Sequence, residues 1–338
     1  MFGSSELKAS LEIFGNLTSL QTLNLSRTST YGVLSNLSHL FNLKSIQMNF
    51  CKNQEVLQQL PHTVEWLYLY HCENLKMIQE LPLNLGSIFL GSCKSLKMLP
   101  ILPPDLENIF LDGCESLEML PELLLNLERI RTIEFRGVPH TNFSESIKEV
   151  LIRSMNSNDS FDCSLTYNEI PDWIRCQKER SSISFQYPSS NLKNYTLEFY
   201  GFVFWVVFNP APLLPPLYCH YDIRIEKHDS KAFPPTWYNH HGIQLEVEGI
   251  SFLHVITTND LYDYYGCGDI KAGEVIKATP IIEIYEGLYR DWIRSSLGEA
   301  NLVKKIGVKA SVVKKIGVEA LYRDKDGSLQ LLPLTKVG

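Results

Sequence analysis

The sequence predicts a mixed architecture in two parts: a solenoid of parallel strands with short irregular or 3₁₀ returns, then an antiparallel β-sandwich. Three observations carry that expectation. Cys51, Cys72, Cys93 and Cys114 stand at intervals of 21 residues, each closing the same apolar frame. Pro61, Pro82 and Pro103 recur at the same interval between the frames. Beyond Val138 the period is lost, and short apolar runs alternate with proline and glycine.

The frame is explicit in four copies: Leu43-x-x-Ile46-x-Met48-x-x-Cys51, Val64-x-x-Leu67-x-Leu69-x-x-Cys72, Leu85-x-x-Ile88-x-Leu90-x-x-Cys93 and Leu106-x-x-Ile109-x-Leu111-x-x-Cys114. Weaker copies flank them, Leu20 to Thr28 and Ile130 to Val138. This is the leucine-rich-repeat strand, with apolar residues facing in and cysteine at the Asn/Cys position. Six copies exceed the three that a stack needs to bury a continuous core. Proline lacks an N–H and disfavours helix at the residue before it. The returns should therefore contain little α-helix. Residues 1–19 resemble the tail of a preceding repeat and show no polar cap, which leads us to expect further chain upstream in the natural protein.

Ser144 to Ile152 reads as a short amphipathic helix, with Ser144 as N-cap and Ile147, Val150 and Leu151 on one face. The polar stretch from Ser154 to Asp162 marks a boundary. The expected domains are residues 1–143 for the repeats, 144–162 for helix and linker, and 163–338 for the β-domain. In that last part Ser182–Tyr187 alternates, and Phe202–Phe208 is a continuous apolar strand ended by Asn209-Pro210. Further strand patterns follow at Ile223–Ile225, Ile243–Val247, Leu253–Ile256 and Ile281–Tyr285, which argues for a sandwich or jelly roll. Val303–Ala310 is nearly repeated at Val313–Ala320. A sandwich has one slot for its closing strand, so one copy should lie at an edge or in a loop.

With 338 residues, 44% hydrophobic content and a net charge of −7, the chain predicts two ordinary folded domains and no global attraction to nucleic acid or anionic membrane. The longest strongly apolar run is seven residues, against the roughly 20 of a membrane helix. No secretory leader is visible at Met1, so the cysteines are expected to be reduced, buried thiols in a cytoplasmic or nucleo-cytoplasmic protein. Phosphate-loop, dinucleotide-loop, H-E-x-x-H and C-x-x-C patterns are missing, and His71-Cys72, Cys219-His220 and His240-His241 lack metal-ligand spacing. No enzyme activity, metal or cofactor is expected.

The run Cys93-Lys94-Ser95-Leu96-Lys97-Met98-Leu99-Pro100-Ile101-Leu102-Pro103 resembles the repeats of plant intracellular immune receptors, the disease resistance proteins. Those receptors join a Toll/interleukin-receptor domain, a nucleotide-binding domain and leucine-rich repeats. Glu169-Ile170-Pro171-Asp172-Trp173, Ser181–Ser184, Gly201–Phe204 and Lys314–Val318 with Tyr322 resemble their post-repeat jelly-roll/Ig-like domain. Nothing in the chain resembles the Toll-type or nucleotide-binding parts. Residues 210–237 fit the family pattern poorly, and the lysine strand is doubled. The resemblance implies the sensing end of a receptor, contacting a pathogen effector and coupled to upstream receptor domains.

In the strand frame, the residues between the leucines point to the concave face. One column reads Asn24, Gln47, Tyr68, Phe89, Phe110, Glu134. The three aromatics, with Trp66, Tyr70 and Asp112 beside them, are the expected partner-binding residues, since aromatics dominate interface hot spots. Packing against the protein's own second domain, and simple β-propensity with no role, are the competing readings. Loops of the β-domain, Pro210–Pro216 among them, are expected to assist. Two other functions stay open from sequence: an extracellular repeat receptor for a peptide or glycan, and a carbohydrate-active β-sandwich.

Overall fold

The computed structural model describes residues 17–28, 37, 40–58, 60–118, 124, 126–138, 144–156, 161–189, 191–192, 197–208, 217–227, 243–244, 250–263, 270–286, 304–308 and 313–337. The chain divides into two compact units, one ending at Ser164 and one beginning at Leu165. Most of the N-terminal segment and the Pro210–Pro216 loop lie outside the described residues.

The first unit is a parallel β-solenoid of about five turns. Its strands are β1 (Thr22–Asn24), β2 (Ser45–Gln47), β3 (Val56–Leu57), β4 (Trp66–Tyr68), β5 (Met77–Ile78), β6 (Ser87–Phe89), β7 (Asn108–Phe110) and β8 (Thr132–Phe135). The main ladder runs β1-β2-β4-β6-β7-β8, every pair parallel. Three inward side chains per turn build the core. Ile46, Leu67, Ile88, Ile109 and Ile133 stack through the strand centres, between the columns of Leu43, Val64, Leu85 and Leu106 and of Met48, Leu69, Leu90 and Leu111, all fully buried.

Three of the returns end in the same turn, just before the next strand. Val64, Leu85 and Leu106 donate their N–H to the carbonyls of Pro61, Pro82 and Pro103, each at 3.1 Å. The fixed proline φ pre-sets that turn, and among the described residues the repeats carry no α-helix. A feature absent from the expectation is a second parallel ladder on the return side. There β3 pairs with β5, and a Met77–Met98 bridge extends it by one turn.

The cysteines close each turn from inside. Sγ of Cys72, Cys93 and Cys114 donates to the carbonyl oxygen of Met48, Leu69 and Leu90 at 3.0, 3.1 and 3.2 Å. Cys51 makes the equivalent contact to Leu25 at 3.4 Å. All four are free and buried. Burial raises Cys114 to about 12, and Cys72 also stands at about 12 beside its neighbouring thiols. All four are small apolar fillers with a weak donor.

Helix α1 (Ser144–Ser154) belongs to the first unit, with Ile147, Val150 and Leu151 buried and Glu145 and Arg153 at the ends that suit their charge. Strand β9 (Asp162–Thr166) spans the division between the units.

The second unit comprises β10 (Cys176–Lys178), β11 (Ile183–Gln186), β12 (Asn191–Leu192), β13 (Leu197–Phe208), β14 (Leu217–Lys227), β15 (Ile243–Gln244), β16 (Ile250–Thr257), α2 (Thr258–Asp263), β17 (Val275–Glu286), β18 (Lys304–Val308), β19 (Val313–Asp324) and β20 (Leu329–Leu332). One antiparallel sheet runs β16-β13-β19, with β12 beside β13 and β10 and β20 end to end along β19. The other runs β15-β14-β17, with β11 and β18 sharing the far side of β17. Side chains of both sheets meet in one core, where Phe202 packs edge-on to Phe185 at 5.1 Å.

Strand β13 fills that core by changing phase. Leu197 and Phe199 face inward; the ladder to β19 then slips between Phe199 and Gly201, and Phe202, Phe204, Val206 and Phe208 take over the inner face. One extra residue flips every later side chain. Glycine is required at the slip, because a Cβ on Gly201 would lie 2.3 Å from the Ile256 carbonyl oxygen.

The duplicated segment divides between the sheets. The first copy forms β18 at an edge, as expected, and the second forms β19 in the middle of the other sheet. A strap of residues 169–175 explains the choice. Ile170 and Ile174 pack where a Cβ on Gly317 would stand, and Trp173 meets Trp205 edge-on at 5.9 Å. Lys315 pairs with Glu169, and Arg175 donates from Nε to the fully buried Glu319 at 3.2 Å. In the first copy Lys309 stands where the second has Glu319, and an ammonium cannot accept those N–H bonds.

Replacing Glu319 by Gln should keep one acceptor and lose the charge, costing about 1–3 kcal/mol. Urea denaturation of the full chain reads this directly. An unchanged midpoint would show that the strap is held by its apolar contacts alone.

Candidate ligand-binding face of the solenoid

Each turn of the main ladder shows the same outward positions. The register aligns Asn24, Gln47, Tyr68, Phe89, Phe110 and Glu134 in one column, as the 21-residue frame predicts. Parallel strands stand about 4.8 Å apart, so flat side chains in register must lie face to face. Tyr68 and Phe89 do so with centroids 4.4 Å apart and planes 4° from parallel, and Phe89 and Phe110 at 4.6 Å and 10°. All three rings are half-buried. Desolvation raises the Tyr68 hydroxyl above its ordinary value.

The other expected contact residues take different parts. Trp66 lies in the parallel column two residues earlier, 41% exposed, in line with Ser45, Ser87 and Asn108. Tyr70 leans toward Phe89 at 5.8 Å and 41°, with its ring where a Cβ on Gly91 would stand. Glycine at 91 therefore makes the room for that ring. Asp112 is committed to the fold: Oδ1 accepts the Arg136 N–H at 2.9 Å and Oδ2 pairs with the guanidinium. Ser26 and Asn49 accept the next turn's N–H in the same way, from Asn49 at 3.2 Å and Tyr70 at 2.9 Å.

Glu134 reaches the same guanidinium at 2.8 Å, so two carboxylates share one cation at the β8 end of the ring column. Burial raises the Asp112 carboxyl to about 7; Arg136 pulls it down and Glu134 pushes it up.

A further column is invisible to the apolar frame. The residue before each frame-closing position has positive φ in all six copies: Arg27 (63°), Phe50 (61°), His71 (57°), Ser92 (61°), Gly113 (71°) and Gly137 (73°). The first five donate their N–H to the carbonyl of Asn49, Tyr70, Gly91, Asp112 and Arg136 at 2.6–2.8 Å, which carries the ladder around the turn. Phe50 and His71 stack at 4.7 Å and 14°, and the Arg27 guanidinium lies 5.1 Å from the Phe50 centroid. Burial lowers the His71 pKa, against the pull of Glu73. The only hint in sequence is the pair of glycines in the last two turns.

Among the described residues no group of three or more His, Cys, Asp or Glu is arranged to hold a metal ion, and no helix is long and apolar enough to cross a membrane. No family model matches this chain, and no curated protein matches it.

Asp112 carries a pH dependence whose sign follows from its raised value. From about pH 4 to 7 the unfolded chain has released a proton that the folded chain keeps, so stability falls as pH rises through that window. Chemical denaturation of wild type and Asp112→Asn should show wild type losing ground to the variant between pH 4 and 7. A pH-independent difference would contradict the assignment.

Proposed function

We propose that the chain is the ligand-sensing region of a plant intracellular immune receptor: leucine-rich repeats followed by a jelly-roll/Ig-like domain. It acts without catalysis, in the cytoplasm or nucleo-cytoplasm, and docks a pathogen effector protein. The observation that carries this reading is the in-register ladder of Tyr68, Phe89 and Phe110 on the outward face of a fully packed stack. Aromatics held rigid by their neighbours contribute contact area with little entropy left to lose on binding. Support also comes from the second unit, where two of the segments that resemble the post-repeat domain, 169–173 and 314–318, touch through the Lys315–Glu169 pair and Ile170 against Gly317.

The stacking favours a protein over a glycan. A sugar docks by laying its C–H bonds on the negative face of an aromatic ring. Both faces of Phe89 are covered by Tyr68 and Phe110, leaving ring edges to a partner. Edges carry the positive end of the quadrupole and suit carbonyl oxygens and the ring faces of another protein.

The test is Tyr68→Ser, Phe89→Ser and Phe110→Ser combined, assayed for binding against a panel of purified effectors by surface plasmon resonance. Two lost ring pairs should cost about 1–3 kcal/mol of stability while the chain stays folded. Binding to any effector that wild type captures should fall at least 100-fold. Retained binding would refute the reading, and a variant that unfolds would make the ladder core.

A further inference from the structure

We propose that the turn edge formed by Arg27, Phe50 and His71 is a second contact, and that it takes an acidic side chain of the protein partner. This rests on the reading of the ring ladder as a protein-docking face. Three observations converge on it. Phe50 and His71 stand in the left-handed region, at φ 61° and 57°, where the last two turns place Gly113 and Gly137. The same conformation recurs at Arg27 and Ser92, and at Phe50 and His71 it carries a stacked ring pair on the turn. The strained pair is exposed at its Phe50 end, 37% open to solvent, on the turn that follows the outward strand face.

The chemistry of the occupant follows from Arg27. Its guanidinium carbon lies over the Phe50 ring, 5.1 Å from the centroid, and the side chain is exposed, so its N–H fork can take a bidentate carboxylate. Among the described residues no carboxylate lies within ion-pair distance of it. Two turns on from Phe50, Lys94 is already paired, with Glu115 at 3.1 Å. His71 is held toward its neutral form, so it extends the aromatic stack and leaves the charge to Arg27. The edge thus offers an exposed cation over a stacked aromatic base, in a chain of net charge −7.

The probe is a fluorescein-labelled hexaglutamate peptide, titrated by anisotropy against the full chain at two salt concentrations. Wild type should bind it with salt-sensitive affinity, and Arg27→Gln should lose at least fivefold. Lys325→Gln, at an exposed lysine of the second unit, should change nothing. Phe50→Gly with His71→Gly should also weaken binding, with a melting temperature equal to or above wild type because the backbone strain is relieved. Equal binding by wild type and Arg27→Gln would overturn the proposal, as would a glycine variant that melts several degrees lower. The ring-ladder triple variant keeps Arg27 and should still bind hexaglutamate. Loss of effector by that variant, with no effect of Arg27→Gln on the peptide, would sink this inference alone.

Discussion

The parallel register of the solenoid is the constraint on which the rest depends. With one frame per turn, every inward position stacks on its like and every outward position does the same. The apolar columns supply most of the stabilisation, since each fully buried Leu or Ile contributes about 1.5–3 kcal/mol relative to exposure. The thiol–carbonyl contacts of Cys72, Cys93 and Cys114 keep the register at the point where the chain leaves the strand. The Leu69 and Leu90 carbonyls also accept the N–H of Cys72 and Cys93, at 3.4 and 3.1 Å, so the thiol is a second donor there. Cysteine is small enough for the column and still gives a weak donor. The positive-φ residue just before it turns the chain and passes its N–H to the next turn.

The same register makes the candidate site. Rings placed 21 residues apart in sequence arrive 4.4–4.6 Å apart in space, so stacking follows from the ladder and needs no special pairing. The consequence is chemical: both faces of Phe89, and one face each of Tyr68 and Phe110, are used up. Next to them, the turn column holds a second stack at 4.7 Å with an arginine over its end. One repeat thus projects two parallel rows of planar groups, one half-buried and one at the rim.

Much of this was legible in the residues, for a reason specific to repeats. A contact between neighbouring turns becomes a fixed sequence interval, so Tyr68, Phe89 and Phe110 could be aligned without coordinates. The β-domain offers no such interval. Arg175 and Glu319 are 144 residues apart and meet only through the sheet, although the contrast of Glu319 with Lys309 in the duplicated segment was a usable clue. The phase change at Gly201 was hidden because the apolar run from Phe202 to Phe208 fills both faces of the sheet. Inside the solenoid, the strained turn column escaped notice because Arg, Phe, His and Ser have no shared propensity for positive φ. The Met77–Met98 bridge escaped because two residues per turn are too few to show a strand period.

The central claim is that one register buries the cysteine column and presents the ring column at the same time. Hydroxyl-radical footprinting of the native full chain, read by peptide mass spectrometry, measures both in one sample. The account predicts oxidation at Trp66, Tyr68, Phe89 and Phe110, with Cys51, Cys72, Cys93 and Cys114 protected until the chain unfolds. Rapid oxidation of the column cysteines, or protection of the rings to the same degree, would contradict it.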